Sequence, residues 1–138
     1  GNEFDQRSGI NIRVMRYADV LLMYAETRNR LGDRAAAAHY LQMVRNRAHL
    51  PDREAEFAAM SEEELHEAIA RERFLELAGE GKRFDDIRRW GWLQRPEKLA
   101  ALQACDPEFN GYAPGREWLP IPQAEMDANP LLQQNPGY

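Results

Sequence analysis

The segment Arg16-Tyr17-Ala18-Asp19-Val20-Leu21-Leu22-Met23-Tyr24-Ala25-Glu26 constrains the fold more than any other part of the chain. Tyr17, Val20, Leu21, Tyr24 and Leu31 recur at helical spacing, while Ala18, Leu22 and Ala25 line the neighbouring face. That spacing predicts a central helix, apolar around much of its circumference. Gly32 should stop it, because glycine enters the left-handed conformation without steric cost, and the Asp33 carboxylate can cap a following helix. The second helix is expected to reach about His49, with Ala37, Tyr40, Leu41, Val44 and Ala48 as its stripe and Pro51 blocking continuation. A turn of one or two residues leaves an antiparallel hairpin.

A third helix is expected from Ser61, whose spacing to Glu64 is that of a capping box, with Leu65, Ala68, Ile69 and Leu75 on its apolar side. It runs into Gly79-Glu80-Gly81, and residues 83–90 read as a short fourth helix ending near Gly91. From Arg95 onward prolines and glycines are frequent, so regular structure should be sparse there, with one helical turn at 123–128. The expected fold is all-α: two antiparallel helical hairpins, the first tetratricopeptide-like, followed by a long Pro/Gly-rich irregular tail. The parts are a lead-in at 1–15, a helical part at 16–94 and the tail at 95–138, in one domain. With 138 residues, 43% of them hydrophobic, the chain has apolar material for a single core.

The tetratricopeptide likeness rests on small residues at Ala25 and Ala37, Leu41 four positions on, and a proline past the second helix. One such hairpin is too little for a free-standing solenoid, which needs about three units. The chain is therefore expected to be part of a longer protein, or a hairpin capped by a non-repeat segment.

Charge narrows the function. The net charge of -5 has the wrong sign for a protein whose affinity comes from neutralising phosphates, so nucleic acid is not expected as a partner. Cys105 cannot form an internal disulfide, and with His39, His49 and His66 it has no close metal-ligand spacing; no metal or other cofactor is expected. The three histidines are expected at the surface or half-buried. No apolar run reaches the length of a membrane span, and the first residues lack the features of a signal peptide. Residues 62–80, with seven acids and two arginines, adjoin residues 82–98, with six bases and three acids; pairing between them inside one domain is expected, with an acidic or basic partner surface as the alternative.

Glu72, Glu76 and Glu80 fall at i, i+4 and i+8 on one helical face, a repulsive row unless cations such as Arg16, Arg45, Arg47 or Arg83 reach it. A partly buried network completed by Arg73 or Arg83 is expected. A catalytic carboxylate pair is not, because residues on one helix turn point the same way and do not flank a bond. Nothing resembles a phosphate loop, a nucleophile elbow or a triad, so no catalytic residue is assigned. Aromatic residues gather late in the chain at Trp90, Trp92, Phe109, Tyr112 and Trp118. Trp90 is expected to pack in the core, whereas Tyr112 and Trp118, in the Gly/Pro-rich stretch, are candidate ligand-binding rings that could stack on sugars.

The order of motifs is also distinctive. Residues 16–26, then Val44-Arg45-Asn46-Arg47-Ala48, Glu72-Arg73, Glu76-Leu77, Glu80-Gly81-Lys82-Arg83 and Arg89-Trp90-Gly91 are followed by Leu119-Pro120-Ile121-Pro122, Glu125, Asn129-Pro130 and Gln134-Asn135-Pro136-Gly137-Tyr138. Over residues 11–138 this series resembles the carboxy-terminal region of the SusD/RagB family. The resemblance implies a surface glycan-binding lipoprotein on the extracellular face of the outer membrane of Bacteroidetes, active in polysaccharide utilisation and nutrient uptake. It also implies a helical scaffold with tetratricopeptide-like units that lids a SusC-like TonB-dependent transporter and is not an enzyme. The partners so implied are an oligosaccharide or polysaccharide and that transporter, with membrane contact only through a lipid anchor outside this chain. Glycan contacts are expected mostly upstream of this region, so this chain alone should bind sugar weakly or not at all; Cys105 is not placed to carry the lipid. The matched motif residues Arg16, Glu26, Arg45, Arg47, Glu72, Arg73, Glu76, Glu80, Gly81, Arg83 and Trp90 carry over as structural positions only. A tetratricopeptide-like protein-interaction module and, more remotely, a glycoside hydrolase are the competing readings.

Overall fold

The computed structural model describes residues 14–138, and among them all regular structure is helical. Most of the lead-in expected at 1–15 lies outside the described residues. The chain divides into two compact units, one ending at Glu80 and the other running from Gly81 to Tyr138. The boundary between the units lies at the glycines around Glu80, where Gly79 and Gly81 both take positive φ.

In the first unit, α1 (Tyr17–Arg30) and α2 (Arg34–Arg47) form the expected hairpin. Gly32 at φ 82° lets the Asp33 N–H reach back to the Arg28 carbonyl at 2.9 Å. The Asp33 carboxylate then accepts from the Ala36 N–H at 3.0 Å and pairs with Arg28, capping α2 as its position suggested. Leu22, Ala25, Ala37, Ala38 and Leu41 are wholly buried. The buried face of α1 is therefore the alanine-lined one, and Tyr17, Val20, Tyr24 and Leu31 turn outward, correcting the stripe expected from spacing. The physical reason is distance: alanines let two helices approach closely, whereas a row of tyrosines would hold them apart. Tyr24 instead meets Tyr40 edge-on at 4.7 Å.

On α2, Ala37, Leu41 and Val44 are buried, but Ala48 lies past the helix end and is exposed. The loop that follows is held by a polar residue that spacing did not single out. Gln42, fully buried, donates to Asn46 Oδ1 at 2.7 Å and to the Pro51 carbonyl at 3.4 Å, and accepts from the Arg53 N–H at 3.1 Å. Its hold leads into an unexpected short helix, α3 (Glu54–Ala59), whose Phe57 is buried beneath the guanidiniums of Arg45 and Arg53. Helix α4 (Glu62–Glu76) opens with the expected capping box: Ser61 Oγ accepts from the Glu64 N–H, and Glu64 Oε2 accepts from the Ser61 N–H at 2.9 Å. Leu65 and Ile69 enter the core, while Leu75, expected there, is 56% exposed. Because α4 packs on both α1 and α2, the first unit is a three-helix core braced by α3, where the pattern had suggested helices in pairs.

The second unit holds α5 (Arg83–Arg89), a 3-10 turn at Trp92–Gln94, α6 (Pro96–Cys105), a 3-10 turn at Pro107–Gly111 and α7 (Gln123–Ala128). Helix α7 sits where one turn was expected. Helix α6 was not expected, because Pro96 read as a breaker; it occupies the first helical position, where a missing N–H costs nothing. Leu102 of α6 is buried, as are Ile87, Trp92 and Leu93.

Candidate functional site

The irregular end of the second unit is tied together by side chains acting as backbone. Between Pro120 and Pro122, neither of which can donate, Ile121 offers a lone N–H. Gln134 takes both of its polar groups: Oε1 accepts from the Ile121 N–H at 2.7 Å, and Nε2 donates to the Ile121 carbonyl at 2.9 Å. Asn135 Nδ2 adds a bond to the Leu119 carbonyl at 2.6 Å. Gly115, at φ 96°, lies against the same segment so closely that a Cβ there would come 2.6 Å from the Pro136 carbonyl oxygen. Two closing motifs of the sequence are thus one strap, and its end delivers Tyr138 to a cleft.

That cleft, of about 360 Å³, is walled by the rings of Phe84, Phe109, Tyr112 and Tyr138 together with Leu93. Asp106, Glu108 and Arg116 supply its polar groups. Asp106 caps the 3-10 turn that carries Phe109 by accepting from the Glu108 N–H at 3.0 Å. Tyr112 is fixed through its hydroxyl, which donates to Glu117 Oε2 at 3.1 Å. Glu117 also accepts from the Gly115 N–H and from Gln94 Nε2, both at 2.8 Å. Chiefly its own backbone N–H holds its carboxyl below the usual glutamate range; burial opposes this, and the bonds from Gln94, Tyr112 and the Gly115 N–H add to the lowering. Burial, then the Glu117 contact, pushes the Tyr112 hydroxyl up. Arg116 lies over the Tyr138 ring at 5.9 Å, and its Nε donates to the Gly137 carbonyl at 3.3 Å.

Of the two rings singled out in the sequence, Tyr112 lines the cleft and Trp118 does not. Trp118 is 52% exposed, with the Arg88 guanidinium 5.6 Å from its ring centre and 6.0 Å from that of Phe84. Phe84, Tyr138 and the hub Glu117 were missed. The signal for Glu117 was weak, since a lone glutamate after Gly115-Arg116 looks like any loop acid. Trp90 is half-buried against Trp92, their centres 5.2 Å apart, with Arg89 over its outer face at 4.7 Å.

The glutamate row lies in the first unit and is occupied by guanidiniums. Arg45 Nη1 meets Glu72 at 3.0 Å, Arg47 Nη2 meets Glu76 at 2.6 Å, and Arg16 bridges Glu76 at 2.9 Å and Glu80 at 2.6 Å. Glu80, then Glu76, raises the Arg16 pKa and keeps it charged. Arg73, expected to serve this row, forms a buried pair with Asp19 of α1 at 2.8 Å. Arg83 stacks over Trp92 at 4.9 Å, Glu26 is half-buried on α1, and Gly81 takes φ 73° at the unit boundary. The acids of 62–80 also include Glu62, paired with Arg30, while Arg88, Arg89 and Arg95 pair with Asp85, Asp86 and Glu97 beside them.

His66 corrects the surface placement expected for the histidines: it is 1% exposed on α4. Burial, then Arg30, lowers its pKa. His39 and His49 are exposed. Among the described residues no group of three His, Cys, Asp or Glu side chains could hold a metal ion, and no helix is long and apolar enough to cross a membrane.

The family model described as "SusD family" matches residues 2–138. Three SusD-like proteins of Formosa agariphila are similar to the chain. P25 is 39% identical over 129 residues, 91% of this chain and 24% of that protein. P2 is 34% identical, covering 96% of this chain and 27% of the relative, and P38 is 33% identical, covering 93% and 25%. The chain thus spans about a quarter of the length of these curated relatives. No solved structure matches it.

Proposed function

The chain belongs to the SusD family, and from that premise we propose that it is the largely scaffolding portion of a non-catalytic glycan-binding component of nutrient uptake at the outer membrane. Its partners in this reading are an oligosaccharide or polysaccharide and a SusC-like TonB-dependent transporter, and its place is the extracellular face of that membrane. Family membership over nearly the whole chain carries the reading. Two features support the division of labour. In the first unit Arg45, Arg47 and Arg16 neutralise Glu72, Glu76 and Glu80, and Asp19 and Arg73 pair in the core. A hydrolase needs two carboxylates on opposite sides of a bond, one kept protonated, whereas Glu72 and Glu76 lie one turn apart on α4 and Glu80 in the turn just beyond it, all three held by guanidiniums.

The exposed side of α1 favours the interaction-module reading in one limited sense. Tyr17, Val20, Tyr24 and Leu31 make an apolar row of the kind a neighbouring helical unit would cover in a longer solenoid. Calorimetry of this chain, and of the longer protein containing it, against a glycan panel with product analysis tests the proposal. Binding by the longer protein with no released reducing ends is expected. Release that depends on Glu72, Glu76 or Glu80 would overturn the non-enzymatic assignment, and peptide capture without any sugar dependence would favour the interaction module.

A further inference from the structure

We propose that the cleft of the second unit is itself a saccharide subsite, shaped for one or two rings of a neutral sugar. The inference rests on the glycan-binding reading and locates a site within this chain, where that reading alone expects little. Its volume of about 360 Å³ lies at the low end of small-ligand sites, roughly 300–1,000 Å³, which suits a mono- or disaccharide.

The lining has the chemistry a sugar requires. A pyranose presents C–H faces, which pack on aromatic rings, and a rim of hydroxyls, which need acceptors and donors close by. Phe84, Phe109, Tyr112 and Tyr138 provide the first, while Glu108 and Asp106 provide acceptors and Arg116 donors. Part of this lining is held before any ligand arrives: Tyr112 by its bond to Glu117, and the backbone leading to Tyr138 by the close passage of Gly115 over Pro136. Preorganised rings lose little freedom on binding, which is how a small site reaches a measurable affinity. Charge sets the class of sugar. Two carboxylates face one guanidinium, and Arg116 already engages Tyr138 and the Gly137 carbonyl. A uronate or sulfated sugar would bring like charge to Asp106 and Glu108, so uncharged rings are preferred.

The test titrates the 138-residue chain, by calorimetry and by amide chemical shifts, with xylotriose, cellotriose and maltotriose as neutral probes and trigalacturonate as the anionic one. Weak but saturable binding of at least one neutral probe is expected. It should fall tenfold or more in Tyr138→Ala and in Arg116→Ala, and change less than twofold in Trp118→Ala, whose ring lies outside the cleft. Amide shifts of residues far from the cleft verify that Tyr138→Ala stays folded. Binding insensitive to Tyr138 and Arg116, or tighter for trigalacturonate, would overturn the subsite. So would no binding by this chain when the longer protein binds, which would leave the glycan reading intact. No binding of any glycan by either would remove that reading as well.

Discussion

At the scale of single residues, the decisive contrast is between charges that are buried and charges that are not. Asp19 and Arg73 are each about 4% exposed, whereas Arg30 and Glu62 are about half exposed. Removing one member of a buried pair strands the other, so Asp19→Asn should cost about 3 to 5 kcal/mol. Arg30→Gln should cost only about 0 to 1 kcal/mol. Urea denaturation of both variants checks this, and equal costs would mean that Asp19 keeps water in the folded protein. Glu117 gives a pH dependence. Its folded pKa is depressed, so its contribution is complete above the unfolded value, about 4.3, and is lost as pH falls below that toward the folded value. The hold on Tyr112 should therefore loosen only in acid, and Glu117→Gln should abolish that acid step in a tyrosine-sensitive signal such as near-UV circular dichroism. Little of this was legible in the sequence. A row of glutamates at four-residue spacing announces that it needs cations, but which arginine serves which carboxylate depends on helix crossings, and Arg73 of α4 meets Asp19 on α1. Tyr112 was singled out because a ring on a loop can stack on a sugar, while Tyr138 stood out only as the last residue of a closing motif, since its place beside Tyr112 depends on the fold.

Among the elements, what spacing could establish was that helices exist and where they start and stop. Gly32, Asp33 and the Ser61–Glu64 box act through local geometry, and local geometry is what sequence encodes most directly. Which side of α1 faces inward was not local. Two adjacent apolar stripes compete there, and the winner is settled by how closely α2 can approach. Ala25 is wholly buried and Ala35 is exposed. Ala25→Leu should therefore cost about 1 to 3 kcal/mol by overpacking, and Ala35→Leu should be nearly silent in thermal melts. The corrected face makes a sharper statement: Leu31→Ser, at 72% exposure, should change stability by less than about 0.5 kcal/mol. Leu22→Ala, at 0%, should cost about 2 to 5 kcal/mol. The reverse ranking would restore the stripe that spacing suggested. Helices α3 and α6 escaped notice for opposite reasons: one hangs on the long-range hold of Gln42, and the other begins with a residue usually read as a terminator.

For the molecule as a whole, the division at Glu80 distributes stability unevenly. The first unit buries a continuous cluster from Ala18 to Ile69, whereas the buried apolar side chains described in the second are Ile87, Trp92, Leu93 and Leu102. All three tryptophans, Trp90, Trp92 and Trp118, lie in the second unit, so their fluorescence reports on it alone. Unfolding followed by tryptophan emission should show a lower midpoint than unfolding followed by helical circular dichroism, to which the long helices of the first unit contribute most. Coincident midpoints would mean that the two units unfold as one. The class of the fold was legible because helical periodicity runs through the long elements; the division was not, because nothing in composition marks it and the visible change of texture comes later, near Arg95. The contact of Gly115 with Pro136 has a consequence for how such chains can change over generations. Any side chain at 115 would collide with the backbone at 136, and its positive φ would be strained besides. A lineage can therefore lose this glycine only if the segment around residue 136 has already moved. Mutations at two sites twenty-one positions apart should thus be inherited in a fixed order, the later position first.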